Sequence, residues 1–285
     1  MNRFQRSVAL AKASWRVFRS DHSLVWFPVL SGIASVGLFA VLGLIGWATA
    51  GSETNAAGDT HMTANAVTAI VALVFYFGVV FIQTWFLGGL VASANQVLDG
   101  RSTSVGEGMQ AANGRIGRLF AWSLLTGTVT WILQAIEERA GIIGRIVVGL
   151  LGAAWTVLTF LTVPIVMFED LGPINALKRS GTLFKQTWGE NLIAQIGLGL
   201  LMFPVMLVAI AIGALALMTQ VLAVQVAGIA VAVVIALVGV VIVNTLSGIY
   251  RTALYRFATE GVVPPAFAGT GLEHAFGPRK GNRAF

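Results

Sequence analysis

The chain has 285 residues, of which 56% are hydrophobic and only 11% charged; an ordinary soluble domain carries roughly 25% charged residues. A globule in water could not cover its surface with so few charges, which leaves lipid as the solvent. The net charge is +6 and cysteine is absent, so disulfides, thiolate metal sites and cysteine nucleophiles are excluded.

The first element is amphipathic. Phe4, Val8, Ala11, Trp15 and Phe18 recur at spacings of four and three, with Arg3, Arg6, Lys12, Arg16 and Arg19 elsewhere on the wheel. This pattern predicts a helix over residues 3–20 lying in the headgroup layer, its basic face toward anionic lipid. The apolar run that follows lacks a small-residue cleavage site and reads as a retained span, not a signal peptide. A bilayer core of ~30 Å needs about 20 apolar residues in helical form. Six spans follow, over about 24–50, 66–94, 118–136, 142–168, 191–218 and 226–256. The last two come from one apolar stretch that breaks into a hairpin between Met218 and Gln225. The third span is short, and Thr126, Thr128, Thr130 and Gln134 dilute it. A re-entrant segment there would leave five crossings and move the C-terminus outside.

Charge decides between these. With six spans, sixteen of the eighteen Lys and Arg residues fall on the N-terminal side and only Arg139 and Arg145 on the other. That asymmetry is the positive-inside signature. It predicts cytoplasmic N- and C-termini in a plasma (inner) membrane, and it accounts for the basic charge without nucleic acid. The external loops around Glu53, Asp59 and His61 and around Glu137–Gly141 are too small to fold by themselves. Residues 259–285, with Pro264-Pro265 and scattered glycines, read as a flexible cytoplasmic tail whose Arg279, Lys280 and Arg283 sit near headgroups or in solvent.

Two further amphipathic stripes precede later spans: Val105, Met109, Ala112, Ile116 and Leu119 in a helix over 104–117, and Ile174, Leu177, Gly181, Phe184 and Trp188 in one over 172–189. The first and last stripes also correspond at an offset of 166: Lys12 with Lys178, Ser14 with Ser180, Phe18 with Phe184, Arg19 with Lys185. The expected fold is therefore all-α: a single integral-membrane domain over 1–258, made of three transmembrane hairpins, each preceded by an interfacial helix.

Chemistry-bearing residues are sparse. No charge lies at mid-depth, where charges by default mark function. Arg251 and Arg256 end the last span, where long side chains snorkel; with Arg16, Arg19, Lys178 and Arg179 they are the candidate contacts for an anion or lipid headgroup. Gln83, Thr130, Gln134, Thr159 and Asn244 are the candidate polar pathway, Gln83 and Asn244 first. Thr84, Thr156, Gln195 and Ser247 share their character, and interhelical hydrogen bonding is the plainer role for all of them. Pro164 and Pro204 are candidate helix breaks. His22, His61 and His274 are isolated and build no metal site. Glu137-Glu138 reads as a solvated helix end, and Glu169-Asp170 as acids before a helix start. Neither a phosphate-binding Gly-rich loop nor a nucleophile elbow is present. No enzyme and no cofactor are expected.

Two segments carry a resemblance. Residues 13–32, from Ala13-Ser-Trp-Arg-Val-Phe through Val-Leu-Ser-Gly32, and residues 169–185, from Glu169-Asp-Leu-Gly-Pro through Thr-Leu-Phe-Lys185, resemble an uncharacterised prokaryotic integral-membrane family, with similarity running through Arg256. In layout the chain is also similar, more distantly, to the membrane domain of some glycerophosphodiester phosphodiesterases and to sulfate-permease-like proteins. The close family implies no catalytic or binding residues. The expected function is a non-enzymatic membrane-organising or accessory protein, whose partners are the bilayer and its anionic headgroups. The alternative is a channel or permease for a small solute, possibly an anion; an embedded enzyme comes third.

Overall fold

The computed structural model describes residues 3–54, 60–63, 65–186 and 202–269. Among these the protein is helical apart from one small hairpin. The helices are α1 (Arg3–Ser20), α2 (Trp26–Thr49), α3 (Ala66–Leu98), α4 (Val105–Asn113), α5 (Ile116–Arg139), α6 (Ile142–Thr159), α7 (Thr162–Phe168), α8 (Pro173–Gln186), α9 (Met202–Met218) and α10 (Leu222–Glu260). The hairpin pairs β1 (Gly51–Thr54) with β2 (Thr60–Thr63) in antiparallel register between α2 and α3; no alternating pattern in that polar loop foretells it.

Five helical segments among the described residues are long and apolar enough to cross a membrane: His22–Thr49, Ala66–Leu98, Ile116–Arg139, Ile142–Phe168 and Leu222–Glu260. With large apolar side chains such as Ile33, Phe39 and Leu44 exposed on their outer faces, they are helices of a membrane protein. α9 is a shorter apolar helix. Residues 187–201, which hold the first half of the span expected over 191–218 together with Trp188 and Gln195, lie outside the described residues, as does the tail from residue 270.

Boundaries follow local chemistry. Asn65 caps α3: its side chain accepts from the Thr68 N–H at 2.9 Å while its own N–H donates to the Thr68 hydroxyl at 2.8 Å. Ser104 and Glu107 form the same reciprocal box at α4. α4 runs only to Asn113, and Gly114-Arg115 turns the chain into α5. The single helix expected over 104–117 is thus divided, with its last two residues at the start of α5. α5 has 24 residues, about 36 Å of helix, so the weak third segment is long enough to span. Its apparent shortness came from reading polar residues as an end, although a helix satisfies its backbone whatever its side chains.

Where Pro164 is the candidate break of the fourth span, the helix is interrupted instead at Phe160-Leu161, between α6 and α7. Proline has no N–H to give the carbonyl four residues earlier, and its ring crowds that carbonyl; here that residue is Phe160. Pro164 then sits in the first turn of α7, where the missing donor costs little. Pro204 lies in the first turn of α9. The expected hairpin joins α9 to α10 through three residues. Gln220 takes a left-handed conformation (φ 54°), and the Gln225 amide donates to the Leu217 carbonyl at 3.2 Å.

α1 buries a face other than the one its large residues mark, and α8 shares only Phe184 of its marked stripe with its buried face. In α1 the buried residues are Leu10, Ala13, Ser14 and Val17, while Trp15 is 36% exposed and Phe18 half-buried. In α8 they are Ala176, Ser180, Leu183 and Phe184, while Ile174 is 58% exposed. Small residues let a helix approach its neighbours closely, which leaves Trp15 and Ile174 exposed beside them while Phe184 packs inward. The buried trios Leu10, Ser14, Val17 and Ala176, Ser180, Leu183 stand in register at the offset of 166, so the repeat extends from sequence to packing. Past α10, which Gly261 ends in the left-handed region (φ 73°), Phe267 is fully buried and Arg16 donates to the Ala266 carbonyl at 2.9 Å. The packed body therefore continues to residue 267, beyond the boundary expected at 258.

Candidate functional site

α10 presents Val240, Asn244, Ser247, Gly248 and Arg251 to a common cleft, at the spacings of four, seven, eight and eleven that keep residues on one helical face. α3 presents Val80, Gln83, Thr84, Leu87 and Leu90 to the same space. α2 adds Phe27, Pro28, Ser31 and Ser35; α5 adds Trp122 and Thr126; Thr159 and Val163 flank the break between α6 and α7. The cleft has a volume of about 470 Å³, within the roughly 300–1,000 Å³ of small-ligand sites. Its wall is mixed: amides from Gln83 and Asn244, hydroxyls from Ser31, Ser35, Thr126, Thr159 and Ser247, and apolar surface between them.

Several hydroxyls are engaged with their own helices and so stand in the wall at little cost. Thr84 donates to the Val80 carbonyl at 2.8 Å, Ser35 to Ser31 at 2.8 Å and Thr159 to Trp155 at 2.8 Å. Gln83 and Asn244 are exposed toward the cleft. An amide facing hydrocarbon would forfeit its hydrogen bonds, so these two side chains call for a polar filling.

Of the sequence candidates, Gln83, Thr159 and Asn244 come together here. Thr130 and Gln134 do not: they lie one and two turns beyond Thr126 on α5, half-buried and exposed respectively, and line no part of the cleft. Ser31, Ser35 and Thr126 were missed because short hydroxyl residues in a span carry no signal of direction. Arg251 belongs to the cleft as well as to the candidate anion contacts. Arg16, Arg19 and Lys178 are exposed on α1 and α8, and Arg179 and Arg256 are engaged in ion pairs.

Those ion pairs form a belt at one end of the bundle. Arg256 pairs with Asp99 and, at 3.5 Å, with Glu260; Arg179 meets Glu169 at 3.2 Å, and the Tyr255 hydroxyl donates to the same carboxylate at 3.3 Å. Arg115 and Arg118 share Asp170. The hydrogen bond from Arg256 holds the Asp99 carboxyl below the usual range, and Arg118 and Arg115 do the same for Asp170. Burial pushes Asp21 up, but hydrogen bonds from Ser23 and Thr103 outweigh it and its net shift is downward. Asp21 thereby ties the turn before α2 to the loop before α4, accepting from Ser23 N at 2.9 Å and Thr103 N at 3.1 Å. Arg139, at the far end of α5, is about 36 Å from Arg115 along the helix. No group of three or more His, Asp or Glu residues among those described could hold a metal ion.

A family model described as a family of unknown function (DUF6159) matches residues 63–264. The matched region contains the 169–185 segment and most of the cleft wall, and begins after the 13–32 segment. No curated protein matches the chain.

Proposed function

The chain belongs to that family of unknown function, and we propose that it is a channel or permease that takes a small polar solute into the cleft between α2, α3, α5 and α10. The observation that carries this reading is the convergence of Gln83 and Asn244, from two membrane-crossing helices, on a 470 Å³ space. Interhelical hydrogen bonding alone would bury such amides against each other or against backbone; here they face open volume. In this reading the protein is not an enzyme, and it makes six crossings as three hairpins, with α1, α4 and α8 as the interfacial helices. The belt of arginines lies on the cytoplasmic face of the plasma membrane with both termini, and Arg139 and Arg145 lie outside, as the positive-inside rule directs.

A second reading, an accessory protein that organises lipids or partners, is favoured by the exposed Lys12, Arg16, Arg19 and Lys178 on α1 and α8, which suit anionic headgroups. Solute entry into proteoliposomes separates the two. Stopped-flow swelling would compare glycerol, urea, glycine and acetate across vesicles carrying the native protein, vesicles carrying the Gln83→Leu/Asn244→Leu double variant, and empty vesicles. Entry of at least one solute several-fold above empty vesicles, returning to their rate in the double variant, is expected. If folded native protein accelerates none of the four, the accessory reading takes its place.

A further inference from the structure

Arg251 is the one charged residue among those lining the cleft, and its surroundings set it apart from the other arginines at that end of the bundle. Arg115, Arg118, Arg179 and Arg256 each have a carboxylate. Arg251 has none among the described residues; its Nε is buried without a hydrogen-bond partner. The guanidinium carbon lies 4.7 Å over the Phe160 ring, at the helix break, so one face is held by aromatic surface. It stands five residues, about 7 Å along α10, inside the Asp99–Arg256 pair. An uncompensated cation so placed is costly, and a counter-ion of good geometry relieves that cost.

We propose that the cleft binds a monovalent oxyanion, a carboxylate or phosphodiester, with Arg251 as its charged contact and Ser247 and Asn244 as neutral contacts for the body attached to it. This rests on the reading of the cleft as a solute site. Three features select the class. The guanidinium is planar and pairs with carboxylate or phosphate oxygens through two parallel hydrogen bonds, which a halide cannot use. One positive charge faces the cleft, so a dianion would carry one charge unneutralised into low dielectric. Ser247 and Asn244 stand one and two turns from Arg251 on the same face of α10, about 6 and 10 Å along the axis, which reaches past a lone ion to the polar body of a small organic anion or a lipid headgroup.

The test is thermal unfolding of the full chain in a neutral maltoside detergent, titrated at constant ionic strength with sodium acetate, with dimethyl phosphate, or with phosphatidylglycerol against phosphatidylcholine. A saturable rise in midpoint with acetate or dimethyl phosphate identifies a free anion. A rise with phosphatidylglycerol alone identifies a headgroup. Both support the proposal when Arg251→Gln abolishes the rise, Arg251→Lys keeps part of it, and Arg145→Gln, an exposed position at the other end, leaves it unchanged. Should Arg251→Gln fail to fold, Asn244→Leu, which leaves the charge in place, is expected to weaken the apparent affinity several-fold. No rise with any of the three anions in folded native protein overturns the proposal, as does a rise that persists in Arg251→Gln. If a cysteine at Asn244 is reached by aqueous reagents while no anion acts, the solute cleft stands and the anion class falls; if that cysteine is dry, both fall.

Discussion

A Gly108→Val variant is expected to lose about 3 kcal/mol of stability, since forcing bulk into a packed contact costs that order and more when backbone must move. Gly108 is buried in α4, and a Cβ there would lie 2.5 Å from the Phe27 ring and 2.8 Å from the Gly89 carbonyl, besides striking the Ser93 hydroxyl. The ring can shift; the carbonyl belongs to α3 and cannot without unseating that helix. The contact between Gly89 and Gly108 is what lets the short α4 lie against α3, with Trp85 donating to Asn113 at 3.0 Å as a second tie. Gly106, two residues earlier, is exposed with only the Ser104 hydroxyl near, at 3.8 Å. Gly106→Ala should therefore raise stability by about 0.5 kcal/mol through the lost freedom of a helical glycine. Unfolding midpoints of the two variants in the same detergent check the pair; equal midpoints would mean that α4 is not docked this way.

Phe27→Ala carries the second large effect, about 3–5 kcal/mol for a fully buried phenylalanine. Phe27 is 0% exposed and is the side chain that the two glycines admit, since Cβ atoms at Gly89 and Gly108 would both meet its ring. It also forms part of the cleft wall, so its removal enlarges the cleft as it loosens α2 against α3 and α4. Ile33→Ala, on the same helix at a 62% exposed position, removes lipid-facing surface and should change the midpoint little. A Phe27→Ala midpoint matching that of Ile33→Ala would show that the ring is not packed at this junction.

These two residues mark where sequence reading stopped. The bounds of α1 at 3–20, the turn between α9 and α10 and the break forced by Pro164 are local matters, set by hydrophobic period, chain reversal and a missing N–H, and the structure has them where those rules place them or within a turn. The meeting of Gly89 with Gly108 is not local. The two glycines lie on different helices, and small-residue spacing within one span says nothing of a contact between two. The buried face of α1 was hidden for a related reason. Hydrophobicity ranks Trp15 and Phe18 above Ala13 and Ser14, yet close packing seats the two small residues fully inside and leaves Trp15 exposed and Phe18 half-buried.

The cleft was partly legible. Gln83, Thr159 and Asn244 stand out because amides and hydroxyls are uncommon in apolar runs, and all three face it. Thr130 and Gln134 stand out equally and do not, since distance along α5 carries them past its end. Arg251 looks like a snorkelling residue when its position in the span is read alone. What distinguishes it from Arg256 is that no carboxylate among the described residues pairs with it, while Arg115, Arg118, Arg179 and Arg256 each have one, and that its Nε is buried without a partner.

The proposed solute cleft requires Gln83 and Asn244 to face water within the membrane-crossing part of the bundle. The chain has no cysteine, so single cysteines can be read without background. Cysteines at Gln83 and Asn244 would be challenged in sealed vesicles with a membrane-impermeant thiol reagent from each side, with Thr54 and Ser104 as controls for the two opposite sides and Ile33 as a lipid-facing one. Labelling at Gln83 and Asn244 from at least one side, with Ile33 silent and the end controls reacting from opposite faces, is the predicted result. Silence at both positions while Thr54 and Ser104 label would mean a dry bundle without a solute cleft.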